Sequence, residues 1–99
     1  MKAKIGDKIY CIWNEQIYLE TVEYIGEKMF LVEGYQNKYD AEYTYSDYGI
    51  TWFRDLEKAK KTLLKKLKKQ YPKSKIIIEQ TDNDVWEAYE DKKENEVLL

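Results

Sequence analysis

Residues 50–59 read Ile-Thr-Trp-Phe-Arg-Asp-Leu-Glu-Lys-Ala, and within this stretch the chain changes from one hydrophobic pattern to another. Ile50 to Phe53 is a short apolar run typical of a strand. After Asp55, apolar residues recur at spacings of three or four, at Leu56, Ala59, Leu63 and Leu67. That spacing places them on one face of a helix. The stretch therefore predicts a passage from β-structure to an amphipathic helix.

The helix has start and stop signals in the sequence. Asp55 can cap the free N–H groups of the first turn. Pro72 follows Tyr71, and the residue before a proline is disfavoured in the helical conformation. We therefore predict a helix over residues 55–71.

Several strands are predicted before the helix. Four short segments are rich in β-branched and aromatic residues, at 8–13, 17–25, 29–32 and 42–45. Polar or glycine-containing turns separate them, at 14–16, 26–28, 36–38 and 46–49. These segments predict an antiparallel meander, which residues 50–53 close as a short fifth strand.

Two further strand-like segments follow the helix, at 75–80 and 85–90, and the turn residues 81–84 join them. The charged residues 91–99 are predicted to form a frayed tail. We expect an α+β fold in one domain, residues 1–99. In it a curled, barrel-like sheet of four to five strands (8–53) is covered by one helix and extended by a C-terminal hairpin.

The composition excludes several classes of catalytic site. The chain has 99 residues, no histidine and one cysteine. Histidine-dependent triads, imidazole metal sites, intrachain disulfides and thiolate clusters are therefore excluded. The carboxylate pairs at 20 and 23, 82 and 84, and 87 and 90 match no metal-binding loop, so we interpret them as structural or solvated. We predict a protein that is not an enzyme and has no cofactor or metal.

The chain shows no sign of a membrane span or leader. No stretch approaches the ~20 apolar residues that a span requires, and Met1 is followed by polar residues rather than an apolar run. Cys11, between Tyr10 and Ile12, is predicted to be a core residue. We expect a protein of the bacterial cytoplasm, where a free thiol stays reduced.

Charge is distributed unevenly along the chain. Residues 54–75 contain ten basic and two acidic residues, whereas the remainder contains seven basic and seventeen acidic residues. On the helical wheel five lysines lie opposite the leucines: Lys58, Lys61, Lys65, Lys68 and Lys69. Such a face could bind nucleic-acid phosphates without base specificity. It could equally be a solvated face, or one neutralised by the protein's own acidic regions.

Residues 35–53 combine tyrosines with carboxylates. Tyrosine is enriched in protein interfaces because it has an apolar ring and a polar tip. The segment is therefore predicted to bind a protein partner with a basic surface, although its rings could instead fill the core. The candidate partner-binding residues are Tyr35, Tyr39, Asp40, Glu42, Tyr43, Tyr45, Asp47 and Tyr48.

Two motifs carry a resemblance to a known group of proteins. Residues 4–10 read Lys-Ile-Gly-Asp-Lys-Ile-Tyr, and residues 48–59 read Tyr-Gly-Ile-Thr-Trp-Phe-Arg-Asp-Leu-Glu-Lys-Ala. Residues 4–60 resemble small SH3-like barrel proteins of phages and mobile elements of Gram-positive bacteria. The resemblance implies an SH3-like barrel and a phage accessory protein, and its motifs specify a strand entry and a helix cap, with no catalytic residue.

Together these observations favour a phage or mobile-element protein that binds a host protein. Inhibition of a nucleic-acid-handling defence system, as an anti-CRISPR protein would do, is the most specific form of this hypothesis. The alternative is a small nucleic-acid-binding module that uses the lysine-rich helix.

Overall fold

A computed structural model describes residues 2–33 and 41–91. In these ranges the strands are β1 (Lys8–Trp13), β2 (Gln16–Ile25), β3 (Met29–Val32), β4 (Ala41–Thr44), β5 (Trp52–Phe53), β6 (Ile76–Asp82) and β7 (Val85–Glu90). The helix α1 is Leu56–Gln70, and a 3-10 turn covers Tyr45–Asp47. The fold class is α+β with one α-helix in the described residues, which confirms the coarse prediction.

The first five strands form a curled antiparallel sheet in the order β4-β3-β2-β1-β5. β5 pairs with β1 through Tyr10 and Phe53 and through Cys11 and Trp52, so the last strand of this path returns to the first. β7 also pairs with β2, and β6 pairs with β7. The curled sheet of the prediction is therefore present, in its five-strand form.

Two strands, β3 and β7, pair with different parts of one edge of the long strand β2. Residues 16–18 pair with β7, and residues 22–25 pair with β3, while residues 16–21 pair with β1 on the opposite edge. β3 and β7 thus occupy successive parts of the same β2 edge. Between them lies Glu20, at the point where the two strands diverge.

Two hydrophobic clusters lie on opposite faces of β1. Ile9 and Cys11 belong to the first, which centres on Phe30 and Trp52. Tyr10 and Ile12 pack on the second, which is covered by α1. Successive side chains of a strand point to opposite faces, so residues 9–12 of β1 are all apolar or aromatic because both faces of the strand are covered there.

The helix forms where its spacing predicts. The Asp55 side chain accepts a hydrogen bond from the Glu57 N–H at 2.8 Å, so Asp55 is the N-cap. Ala59, Leu63 and Leu67 form the buried face of the helix. Tyr71, whose N–H donates to the Leu67 carbonyl, caps its C-terminus. The predicted helix is thus confirmed, with residues 55 and 71 as its caps.

The first hairpin turn is tighter than the sequence suggested. Asn14 and Glu15 both have positive φ, 49° and 63°. This is the backbone of a two-residue turn that matches the strand twist. Gln16 therefore already belongs to β2.

Two other boundaries differ from the sequence prediction. Tyr45 begins the 3-10 turn instead of ending β4, because its carbonyl accepts the Tyr48 N–H at 3.2 Å. β6 continues to Asp82, because a register shift after Gln80 restores pairing with Val85. The predicted loop 36–38 and the tail beyond Asp91 lie outside the described residues.

Candidate functional site

Five lysines form one exposed face of α1, and we call this set the lysine face: Lys58, Lys61, Lys65, Lys68 and Lys69. Within the described ranges, none of their ammonium groups has a carboxylate oxygen within 4.0 Å. By contrast, Lys60 pairs with Glu57 at 3.6 Å. The charge of the lysine face is therefore not neutralised by the acidic residues that the structure describes.

The lysine face is open rather than pocketed. Two shallow depressions, of about 370 and 460 Å³, lie along it, and Lys65 and Lys69 line both. The arginine nearest the helix, Arg54, is engaged elsewhere, because its Nη2 donates to the Lys2 carbonyl at 2.8 Å and to Asp7 Oδ2 at 3.2 Å. The site can thus offer point charges to an extended anion.

The described tyrosines of the predicted protein-binding segment pack inward. The ring centroids of Tyr43 and Tyr45 lie 6.1 and 5.5 Å from that of Phe30. The Tyr48 ring lies 4.7 Å from that of Trp52. The Tyr45 hydroxyl also donates to the Gly26 carbonyl at 3.2 Å. Much of the apolar surface of these rings is therefore used by the first hydrophobic cluster.

The remaining residues of that prediction fall into two groups. Glu42 is exposed on β4, and Asp47 is half-buried in the 3-10 turn. Tyr35, Tyr39 and Asp40 lie outside the described residues. The structure brings together Tyr43, Tyr45 and Tyr48, which pack against the first hydrophobic cluster. Glu42, between Ala41 and Tyr43 on β4, points to the opposite face of that strand.

The single cysteine is a core residue, as predicted. Cys11 is 1% exposed. Burial raises the pKa of its thiol to about 12, with a further increase from Glu20 and a decrease from a hydrogen bond with Tyr43. The thiol therefore stays protonated at neutral pH, which makes it a poor nucleophile.

Three carboxylates meet where β3 and β7 diverge, and we call this set the acidic junction: Glu20, Glu33 and Asp84. The Leu19 N–H donates to the Asp84 carbonyl at 2.8 Å, and the Glu33 N–H donates to the Thr21 carbonyl at 3.0 Å. Burial raises the pKa of Glu20 to about 7, and the charges of Glu33 and Asp84 add to this increase.

The acidic junction differs from the pairs seen in the sequence, because Glu20 meets residues distant along the chain rather than Glu23. In the part of the chain that the structure describes, no three histidine, cysteine, aspartate or glutamate side chains are grouped so that they could hold a metal ion.

Sequence reasoning missed one further feature, a groove at the C-terminal end of α1. The end of the helix contributes Leu67 and Tyr71 to its lining, and the β6–β7 pair contributes Ile76 and Ala88. These residues belong to different elements, so no local pattern in the sequence brings them together.

Comparison with protein-family models, with curated proteins and with solved structures gave no match to this chain. Function is therefore inferred from the geometry of the chain itself. In the described residues, no helix combines the length and the apolar character needed to cross a membrane.

Proposed function

We propose that this protein is a non-enzymatic nucleic-acid-binding module whose lysine face contacts phosphate groups. The observation that best supports this function is a row of five exposed ammonium groups with no carboxylate partner in the described residues. The 15-residue helix is about 22 Å long. It can therefore follow several phosphates of an extended strand.

The proposed binding is electrostatic and independent of sequence. Lysines that neutralise phosphates release condensed counterions, so affinity falls as salt rises. Base recognition usually uses bidentate arginine contacts, and Arg54 is already hydrogen bonded to Asp7 and Lys2. The lysine face thus supplies affinity without selecting a sequence.

Binding of fluorescently labelled oligonucleotides at several salt concentrations tests this function. The Lys61→Glu, Lys65→Glu double variant should bind more weakly, and the slope of log affinity against log salt should fall by roughly 1.5 to 2. A matched control is Lys8→Glu, Lys28→Glu, which makes the same charge change at exposed lysines of the strands and turns.

The control variant should retain most of the affinity of the parent. The proposal fails if the parent binds neither single nor double strands at low salt. It also fails if the two double variants lose affinity equally, because net charge alone would then explain the binding.

A second candidate function is docking on a basic host protein, in the manner of a phage-encoded inhibitor such as an anti-CRISPR protein. The observation that favours it is uncompensated acidity outside the helix. Glu42 and Asp47 form no ion pair among the described residues.

An SH3-like identity and a cytoplasmic location belong to the same proposal. The strand order β5-β1-β2-β3-β4, with a 3-10 turn between β4 and β5, supports the SH3-like barrel that the sequence motifs suggested. The β6–β7 pair would then be an addition to that barrel on the edge of β2.

A further inference from the structure

A row of four side chains crosses the sheet from β1 to β6. The strand register places each of them directly opposite the next, and we call this set the glutamate row: Trp13 on β1, Gln16 on β2, Glu87 on β7 and Glu79 on β6. Because neighbouring strands lie about 4.8 Å apart, the row is about 14 Å long.

The glutamate row lies on the face of the sheet that is turned away from α1. Ile17 is buried in the second hydrophobic cluster, which α1 covers, and Ile78 and Ala88 pack on that cluster. Successive side chains of a strand point to opposite faces, so the row members next to these residues point away from the helix. Trp13, which pairs with Gln16, shares this face and is 60% exposed.

Two carboxylates of the row oppose each other. Glu79 and Glu87 are direct partners in the β6–β7 register, and like charges in such positions repel. Among the described residues, no ammonium or guanidinium nitrogen lies within 4.0 Å of either carboxylate. A cation bound between the two side chains would therefore relieve their repulsion.

Hydrogen bonds orient both carboxylates. Gln16 Nε2 donates to Glu87 Oε1 at 2.6 Å, and Gln16 Oε1 accepts a hydrogen bond from the Tyr18 hydroxyl. The Tyr89 hydroxyl donates to the Glu79 carboxylate, and this hydrogen bond raises the pKa of Tyr89. An ionised carboxylate has about four acceptor positions, so each of the two can still accept hydrogen bonds from a ligand.

The chemistry of the row favours arginine over lysine as its ligand. The planar guanidinium has five N–H donors, pairs with carboxylates through two bonds at once and stacks on aromatic rings, whereas the lysine ammonium is a compact point charge. Tryptophan is the strongest aromatic partner of a cation, and Trp13 ends the row. Arginines four residues apart in an extended segment are about 13 Å apart, close to the roughly 12 Å from the glutamate pair to Trp13.

We propose that the glutamate row binds an extended, arginine-containing segment of a protein partner, with one guanidinium between Glu79 and Glu87 and another on the Trp13 ring. Its carboxylates disfavour a nucleic acid on this face, because they repel phosphates. The inference goes beyond the nucleic-acid function and does not rest on it, since the row faces away from α1.

The experiment measures anisotropy of the labelled peptide Gly-Arg-Gly-Arg-Gly-Arg-Gly and of analogues in which lysine or neutral citrulline replaces every arginine. The parent should bind the arginine peptide several-fold more tightly than the lysine peptide, and roughly tenfold or more above the citrulline peptide. Glu79→Gln with Glu87→Gln should remove most of this binding. The matched control, Glu27→Gln with Glu42→Gln, makes the same charge change at exposed positions elsewhere and should retain it.

Tryptophan fluorescence gives a second measurement. The chain has three tryptophans, and Trp52 and Trp86 are only 0% and 7% exposed. A ligand that contacts the surface should therefore change chiefly the emission of Trp13. The arginine peptide should shift this emission in the parent and leave the emission of Trp13→Phe unchanged.

Circular dichroism checks that the glutamine variants remain folded, and the comparison of the three peptides needs only the parent. Equal affinity of the parent for the arginine and citrulline peptides would overturn the proposal. Equal losses in the two double variants would also overturn it, because net charge alone would then explain the binding. Dimers at low salt that Glu79→Gln with Glu87→Gln dissociates would assign the row to a second copy and overturn it as well. All of these results are independent of oligonucleotide binding, so the two proposals fail separately.

Discussion

At Glu20, folding disfavours the negatively charged form of the side chain. It is half-buried on β2, and the backbone bonds of Leu19 and Thr21 bring Asp84 and Glu33 beside it. A carboxylate in such a position loses hydration and gains repulsion, and both effects favour the protonated form. The fold therefore holds a proton at Glu20 more tightly than the unfolded chain does.

This sets the direction of a pH effect on stability. The pKa of Glu20 rises from 4.5 to about 7 on folding, so the free energy of unfolding should decrease as pH rises between these values. Glu20→Gln should remove this dependence. Because Glu20 is partly solvated, we expect a gain on the order of 1 kcal/mol at pH 8 and little change at pH 4.

Urea denaturation at both pH values provides the measurement. Glu27→Gln, at an exposed turn position, is the control and should behave like the parent at both. A Glu20→Gln variant that is equally stabilised at pH 4 and pH 8 would contradict the role given to Glu20.

At the scale of elements, α1 is held by its buried stripe. Leu63 is fully buried, between Ala59 and Leu67 in the second hydrophobic cluster. The opposite face carries like charges that repel one another and add no stability. Packing of this stripe on the sheet must therefore supply most of the stability of the helix in the folded protein.

Leu63→Ala is expected to lower the free energy of unfolding by about 2 to 5 kcal/mol, since it removes apolar contacts and leaves a cavity. Chemical denaturation monitored by circular dichroism measures this loss. Lys65→Ala, on the exposed face of the same helix, should change stability by less than about 0.5 kcal/mol. A similarly small effect at Leu63 would exclude the packing described for α1.

Elements with local signals were predictable from the sequence, and contacts between distant elements were not. The change of period at Asp55 identified the helix, and β-branched residues identified β1. Nothing local indicated that Val85 pairs beside Tyr18 on the β2 edge. The end of β4 at Thr44 also depends on hydrogen bonds of Tyr45 to residues outside its own strand.

The candidate site was predictable to the same extent. Helical spacing alone placed Lys61 and Lys65 on one exposed face. It could not show that Tyr43 and Tyr45 pack on Phe30, because that contact requires the β3–β4 register. The groove at the C-terminal end of α1 likewise depends on how the β6–β7 pair lies against the end of the helix.

At the scale of the whole molecule, the two candidate functions use different elements. The lysine face lies on the exposed side of α1, whereas Glu42 lies on β4 and Asp47 in the 3-10 turn. A test of the protein-partner hypothesis can therefore change one of these regions without altering the other.

If a basic host protein recovered by pull-down is the partner, Glu42→Lys with Asp47→Lys should slow association roughly tenfold at low salt, because rim charges steer encounter. The effect should shrink as salt rises. Lys61→Glu with Lys65→Glu serves as the comparison and should leave association unchanged or faster. Kinetics measured by surface plasmon resonance decide between these results, and the reverse pattern would place the interface on the lysine face.

The uneven charge of the chain also makes the protein an electric dipole. Residues 54–75 carry a net charge of +8 and the rest of the chain −10. In the electric field of a polyanion, such a molecule experiences a torque that turns its lysine face toward the polyanion before contact. The screening length is about 10 Å at 0.1 M salt and about 30 Å at 0.01 M. The torque therefore acts only at short separations at physiological salt and at larger separations in dilute buffer.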